Sequence, residues 1–494
     1  MIVILADDLT GANDTAVQFA TAGYDTRLVL GPTEVDQSAE VYALTADNRQ
    51  LTGQAAYEAA RETLLPFASV LKRLYIKIDS TMRGPVAAHI AGAMSVWELC
   101  PKSHGDLDAD REQNEFTRYA EGKEEVEARS AEHGSIVSPC QHGKTSDFDK
   151  DRSSSMALVC PAYPEMGRQV VDQIVLVDGV PLAQTAFAND PVTTITTSNI
   201  VEMLENVRPE APEVCKTQHS GANRKINVVP LQSHGDWVRT LSEAVADGVR
   251  MATADTVQMA TADAATHEDL VELADALAQF PQIVPVGSAG LARECARVWA
   301  DGRAAGGSGP GESQAPDIAT KHHPTVVLIS SCHPASEAQL DAFLATKPPR
   351  TLLLAPDLET VANPNTLTEW AENQTGRITN VDTIIVQRPS ERASDPQIAT
   401  EVALHLAGIT ASLARHYEAG ALILVGGDGA RATLASLGVK ELAVVDSVAE
   451  GMPAAIARDG LPGTLVVTKA GGFGSADALT AMVIHCQPPR RNHD

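Results

Sequence analysis

The chain has 494 residues, 44% of them hydrophobic, which is enough for a packed core and for two or more domains. Its net charge of −26 and pI near 4.9 exclude a basic face for nucleic acid and adhesion to anionic membranes, while a local basic pocket for a small anion stays open. Mean hydropathy is −0.08, no apolar run is long enough to span a bilayer, and the seven cysteines contain no CxxC pair, so reduced thiols and a cytoplasmic location are expected.

The chain starts with the apolar run MIVIL, too short for a signal peptide and interrupted by Asp7 and Asp8. The next apolar runs are RLVL at 27–30, VYALT at 41–45 and LYIKID at 74–79. The runs at 2–5 and 27–30 are continuous, as in parallel strands buried on both faces. Between them, Ala12, Ala16, Phe19 and Ala20 recur at helical spacing, and Gly23 suits the helix end. Strands alternating with helices predict a doubly wound α/β domain.

Residues 98–155 break the rhythm with a polar, acidic stretch that reads as a surface insertion. His133, Cys140 and His142 fall inside it, without the fourth ligand that a zinc site needs. A smaller insertion is expected at 207–224, and the Gly- and Pro-rich stretch 301–323 reads as an interdomain linker. Beyond it, TVVLIS at 325–330, TLLLA at 351–355, TIIV at 383–386, ALILV at 421–425 and TLVVT at 464–468 predict a second α/β domain. The expectation is therefore two domains, 1–300 and 324–494, each a mostly parallel sheet flanked by helices.

Ligands of open α/β sheets bind beyond the carboxyl ends of strands. The first strand delivers Asp7 and Asp8, the third Asp47, Asn48 and Arg49, and the fourth the stretch KIDSTMRG. Period-two alternation puts Tyr75, Lys77 and Asp79 on one strand face. A lysine in a buried strand needs a negative partner, so Lys77 either pairs with Asp79 or Asp8, or joins Arg49 and Arg83 in neutralising an anionic substrate. In the second domain, strands run into SCHPAS, GGDG and KAGGFG before helix-like segments, and IVPV runs into GSAG in the first. Such turns present backbone N–H groups to phosphate, although none matches a P-loop or a dinucleotide fingerprint. An acid–base pocket beside a phosphate-binding domain describes a two-domain kinase.

The stretches ADDLTGANDT (6–15), KIDSTMRG (77–84), CPAYPEMGR (160–168), DGVPLAQTAFANDP (178–191), GSAGLA (287–292), GGDGA (426–430), EGMP (450–453) and KAGGFG (469–474) make the chain resemble the four-carbon acid sugar kinases. The resemblance spans almost the whole chain. It implies an N-terminal sugar-acid domain, a C-terminal nucleotide domain, and ATP with Mg²⁺ as cosubstrate. It implies that Asp8, Arg49 and the 77–83 loop, with Lys77, Asp79, Ser80, Thr81 and Arg83, bind the sugar acid; Asp7 and Asn13 beside them are further candidate contacts. It further implies that Ser331, the turn of Gly426, Gly427, Asp428 and Gly429, and Gly471, Gly472 and Gly474 bind ATP; Lys469 at the start of that last turn is a further candidate contact. Two positions depart from the family pattern: Gly429 stands where a threonine is usual, and SSCHPAS replaces a run that usually starts with glycine and has a serine at the position of His333. Asp8 is the expected base, since it lies at a strand mouth beside a helix start; Asp7 is the alternative, set lower because an adjacent residue of an extended strand points the other way. Phosphorylation of a terminal hydroxyl of threonate, erythronate or 3-oxo-tetronate is the expected activity. A ribokinase-like kinase of a neutral sugar and a weakly catalytic sugar-acid sensor are the alternatives. No resident metal is expected, and a homodimer is left open.

Overall fold

The computed structural model describes residues 1–31, 37–100, 155–189, 194–205, 225–232, 235–251, 256–301, 323–375, 381–391 and 396–487. Nearly all of the expected insertion and linker, with His133, Cys140 and His142, lies outside the described residues.

In the first half, β1 (Ile2–Ala6), β2 (Thr26–Val29), β3 (Val41–Thr45), β4 (Arg73–Lys77) and β5 (Met156–Cys160) are followed by a small antiparallel sheet of β6 (Arg168–Val171), β7 (Ile174–Val177) and β8 (Val180–Pro181). Then come β9 (Lys225–Leu231), β10 (Thr256–Ala262) and β11 (Ile283–Gly287). Apart from β6 to β8, these strands pair in parallel in the order β2-β3-β1-β4-β11-β5-β10-β9. The second half holds β12 (Thr325–Ile329), β13 (Thr351–Leu354), β14 (Thr383–Gln387), β15 (Ala421–Val425), β16 (Glu441–Ala449), β17 (Met452–Ala457) and β18 (Leu465–Lys469). Here β13-β14-β12-β15-β18 is parallel.

The helices among the described residues are α1 (Leu9–Thr21), α2 (Gly53–Leu64), α3 (Val86–Trp97), α4 (Ile200–Glu205), α5 (Trp237–Met251), α6 (His267–Leu277), α7 (Ala289–Asp301), α8 (Pro334–Ala345), α9 (Leu358–Ala362), α10 (Pro364–Thr375), α11 (Pro396–His416), α12 (Gly427–Leu437) and α13 (Ala478–Cys486). The α/β class read from the sequence is the one observed. The continuous apolar runs behave as expected of strands covered on both faces: β5, β11, β12 and β15 are buried along their whole length.

The two parallel sheets are joined into one. Hairpin strand β17 pairs antiparallel with β18 on one side and with β16 on the other, and β16 pairs antiparallel with β2. The hairpin therefore closes an edge of each half, which leaves neither edge open to stray pairing. Helix α1 lies against this join, packing on β2, β3, β16 and α7. Its start is fixed by Asp8, whose side chain accepts the Gly11 N–H at 2.7 Å, and its buried face carries Ala12, Ala16 and Phe19. Gly23, with φ of +88°, lets the chain leave the helix towards β2.

One strand boundary differs from the sequence reading. β4 ends at Lys77, opposite Ala6 of β1 and Gly287 of β11, because its neighbours stop there. Asp79 thus lies in the following turn and shares no strand face with Tyr75 and Lys77.

Candidate active site

The parallel ends of β1, β3 and β4 are adjacent, so Asp7, Arg49 and Asp79 leave neighbouring strands at one level of the sheet. Arg49 is the hub. Its Nε and Nη2 donate to the two carboxylate oxygens of Asp7 at 2.9 and 3.0 Å. Its Nη1 lies 2.6 Å from Asp8 Oδ2, and its Nη2 lies 4.0 Å from Asp79. Asp7 and Asp8 therefore converge on one guanidinium instead of pointing apart, because the chain turns into α1 directly after Asp8. This corrects the argument by which the sequence reading set Asp7 aside.

The charges shift one another. Burial raises the Asp7 carboxyl, but Arg49 and then Lys77 outweigh it and hold Asp7 below its ordinary range. Asp8 goes the other way: burial raises it, Arg49 pulls it down, and Asp7 pushes it up again to a net rise. Arg49, buried among three carboxylates, is held firmly as a cation.

The 77–84 turn is wound around Asp79. Arg83 Nε donates to Asp79 Oδ2 at 2.6 Å and Nη2 to Oδ1 at 3.1 Å, while the Thr81 hydroxyl donates at 2.5 Å. Burial opposes ionisation of Asp79, yet Arg83 and Arg49 keep it well below the usual carboxylate range. Ser80 sits half-buried in this turn. Lys77 makes neither of the ion pairs expected of it at hydrogen-bond distance. Its Nζ donates to the Ile78 carbonyl at 2.8 Å and lies against Gly11, where a Cβ would come within 2.9 Å of it. A side chain on Gly11 would therefore displace either Lys77 or Asp8.

Two further residues near this cluster were given no role by the sequence reading. His89 of α3 is 1% exposed and its Nδ1 is 2.9 Å from the Asn48 amide, which also donates to the Ala56 carbonyl. Burial lowers its pKa, so it is a neutral neighbour of Asp7. Asp14 of α1 is 6% exposed, and burial raises it to about 7. Asp14 lies within the ADDLTGANDT stretch without a role of its own there, and His89 lies on α3, beyond the KIDSTMRG stretch.

The second half presents backbone and space. After β12 the chain passes through Ser330, Ser331, Cys332 and His333 into α8; after β15 it passes through Gly426 to Gly429 into α12; after β18 it passes through Lys469 to Gly474. These segments press on one another. A Cβ on Gly471 would lie 1.8 Å from Ser331 Oγ, and one on Gly426 (φ +109°) 2.6 Å from Ser330 Oγ. Gly472 would meet the His333 ring at 3.2 Å, and Gly474 (φ +84°) would meet Met452 at 2.3 Å. A side chain at Gly426, Gly471 or Gly474 would have to displace its neighbour, Gly472 has little room to spare, and such small-residue turns leave backbone N–H groups open to a ligand. Lys469 does not reach outwards. Its Nζ donates to the carbonyls of Ala470, Gly471 and Phe473 at 2.9, 3.1 and 2.9 Å, and burial lowers its pKa to about 8. It ties the loop from inside. His333 caps α8, its Nδ1 accepting the Ala335 N–H at 3.1 Å.

The two regions adjoin. A Cβ on Gly427 would lie 3.0 Å from the Thr10 hydroxyl, two residues on from Asp8. Asn13, fully buried, donates to the Thr468 hydroxyl at 2.8 Å, so it bridges α1 to β18. Arg431 of α12 pairs with Asp47. Asp428 is exposed in the first turn of α12.

A strand-end cluster of acids and cations facing a set of glycine turns is an arrangement suited to moving a phosphoryl group, and the comparisons with known proteins define the class as a phosphotransferase. Residues 2–102 and 133–295 match the model of a sugar-binding N-terminal domain, and residues 326–479 that of a nucleotide-binding C-terminal domain. The unmatched stretch between the first two segments falls inside the expected insertion. D-threonate kinase of Bordetella bronchiseptica is 31% identical over 490 residues, covering 97% of this chain and 95% of that one. A 3-oxo-tetronate kinase of Brucella melitensis is 26% identical over 64% of this chain and 68% of that one. A solved structure from Salmonella typhimurium shares the fold, with a TM-score of 0.65 at 17% identity and coverage of 97% and 98%. The chain belongs to the four-carbon acid sugar kinase family.

Proposed function

We propose that this enzyme transfers the γ-phosphoryl group of ATP to a terminal hydroxyl of a four-carbon sugar acid, with threonate, erythronate and 3-oxo-tetronate as the candidates that its relatives' names supply. The observation that carries the reading is the join at α1. The helix that Asp8 caps meets the Gly427 turn through Thr10, so an acceptor at Asp8 would face a triphosphate at the glycine turns.

In this reading Asp8 takes the hydroxyl proton as the substrate oxygen bonds to the γ-phosphorus. The bond to the β–γ bridging oxygen breaks, and ADP leaves with its electron pair. Asp8 suits the task because Gly11 and Arg49 fix both of its oxygens while burial raises its basicity. Arg49 is committed to two aspartates, so it serves as their clamp, and Arg83 is the nearer candidate for the substrate carboxylate. The nucleotide phosphates would lie on the N–H groups of the 426–429 and 471–474 turns, beside Ser331, where Gly426, Gly429, Gly471 and Gly474 have no room for a Cβ unless a neighbour moves. Lys469 shapes that loop from within. Mg²⁺ bound with the triphosphate would supply neutralising charge, and Asp428, the exposed carboxylate of that turn, is the residue that would hold it.

A coupled ADP-release screen tests this directly. Turnover on one or more four-carbon sugar acids, and none on the matching neutral tetritols or on ribose, is expected. Turnover confined to neutral sugars contradicts the substrate class, and ATP binding without turnover on any of them contradicts the reaction.

A further inference from the structure

The motifs at 160–168 and 178–191 entered the sequence reading without a role. The structure brings one side chain from each together. Arg168 opens β6, and Phe187 lies on the short helical turn Ala186–Asn189. The Arg168 guanidinium carbon is 5.7 Å from the centre of the Phe187 ring, and that of Arg83 is 5.6 Å from the same centre. Two cations thus share one aromatic ring.

The two are anchored differently. Arg83 is held by Asp79 at 2.6 Å. Arg168 Nη1 donates to the Met166 carbonyl, and its Nε is buried with no hydrogen-bond partner among the described residues. Burial lowers the Arg168 pKa, the carboxylates of Asp178 and Asp79 oppose that, and the charge of Arg83 adds to it. A half-buried guanidinium beside a second one, short of acceptors, is satisfied when an anion docks. From Asp8 the charges run in an unbroken track: Asp8 to Arg49 at 2.6 Å, Arg49 to Asp79 at 4.0 Å, and Asp79 to Arg83 at 2.6 Å.

We propose that Arg168 and Arg83, meeting at Phe187, form the subsite for the carboxylate of the substrate. The proposal rests on the sugar-acid reading above. It orients the acceptor with its hydroxyl at Asp8 and its carboxylate at the far end of the track, under the cover of β6 and the Phe187 turn. The planar fork of Arg168 suits both carboxylate oxygens, and the ring of Phe187 shields the contact from water.

The test is calorimetric binding of D-threonate to the full chain, with uncharged D-threonamide as control, on the wild type, Arg168→Gln and Arg168→Lys. Arg168→Gln is expected to weaken D-threonate binding about 10–100-fold and to lose most of the preference over D-threonamide; Arg168→Lys, which keeps the charge but not the fork, falls between. Thermal melts show whether each variant is folded, and the lysine variant carries the test if the glutamine variant is not. In turnover the change should appear chiefly in the KM for the acid, with a smaller fall in kcat from lost orientation and the KM for ATP nearly unchanged. Equal D-threonate affinity in the folded variants overturns the subsite and leaves the kinase reading standing. A wild type that binds D-threonate through Arg168 but never phosphorylates a sugar acid overturns the kinase reading and leaves the subsite standing. A wild type that neither binds nor turns over any sugar acid overturns both.

Discussion

At the ends of β1, β3 and β4 the site is made of side chains that hold one another: Asp7 and Asp8 on Arg49, and Asp79 on Arg83. Between β12, β15 and β18 it is made of the absence of side chains, with glycines packed against Ser330, Ser331 and His333 and a lysine turned inwards on its own loop. The first region positions charge, and each member depends on its partners. The second positions backbone N–H groups, and each member depends on space. The same kind of substitution should therefore act differently in the two: removing a group breaks the first, and adding one breaks the second.

The largest effect short of removing the base is expected at Arg49. Arg49→Ala leaves Asp7, 4% exposed, without its bidentate partner, and about 3–5 kcal/mol of stability should go with it. A fall in kcat of about 100-fold or more should accompany the loss, because Asp8 is no longer fixed. Arg49→Lys should not restore it, since one ammonium cannot serve both aspartates. A folded Arg49→Ala with normal kcat and a raised KM for the acid alone would make Arg49 a substrate contact and not a clamp.

Asp14 sharpens the contrast through pH. Its folded pKa of about 7 lies above the ordinary 3.8, chiefly from burial, with Lys77 opposing and Glu450 and Asp8 adding to the rise. The folded protein keeps a proton there that the unfolded chain loses, so this contribution is full below pH about 4 and is lost as pH rises through 7. Asp14→Asn cannot titrate. Melts should show the variant gaining on the wild type between pH 5 and 8, by roughly 2–4 kcal/mol at the upper end. A gap that does not change with pH would place the Asp14 carboxyl in an ordinary environment.

The smallest effect belongs to the glycine region. The missing side chain at Gly429 has its space filled by Ser330, whose Oγ lies 2.2 Å from where a Cβ would stand and donates to the Val425 carbonyl at 3.1 Å. Ser330 and a side chain at position 429 therefore compete for one space. Gly429→Thr should cost about 1–3 kcal/mol by overpacking, and Ser330→Gly should recover much of it in the double variant. Additive costs would mean that the two positions do not share the space.

Much of the fold could be read in advance because buried parallel strands are continuous apolar runs: ALILV is β15 to the residue, and VYALT is β3. The single sheet could not, since it depends on Glu441 to Val444 pairing with Thr26 to Val29, a contact across some four hundred residues that no local pattern encodes. In the site, residue types pointed to the chemistry but not to the pairing. Arg49 reads as a free cation until its two aspartates are seen around it, and the sequence gives no sign that the ammonium groups of Lys77 and Lys469 donate to backbone carbonyls of their own turns. Arg168 and Phe187 lie in separate motifs whose convergence belongs to tertiary structure alone.

The central claim is that Asp8 accepts the proton in a site shared by both regions. Steady-state kinetics of Asp8→Asn on the best sugar acid, beside a thermal melt and an ATP-binding measurement, test it most directly. Asparagine can still accept the Gly11 N–H and keep α1 capped, but it cannot act as a base. The expected result is a folded protein with unchanged ATP binding and a kcat lower by about 10²–10⁴-fold. An Asp8→Asn enzyme that turns over near the wild-type rate would contradict the claim and leave Asp8 as a helix cap only.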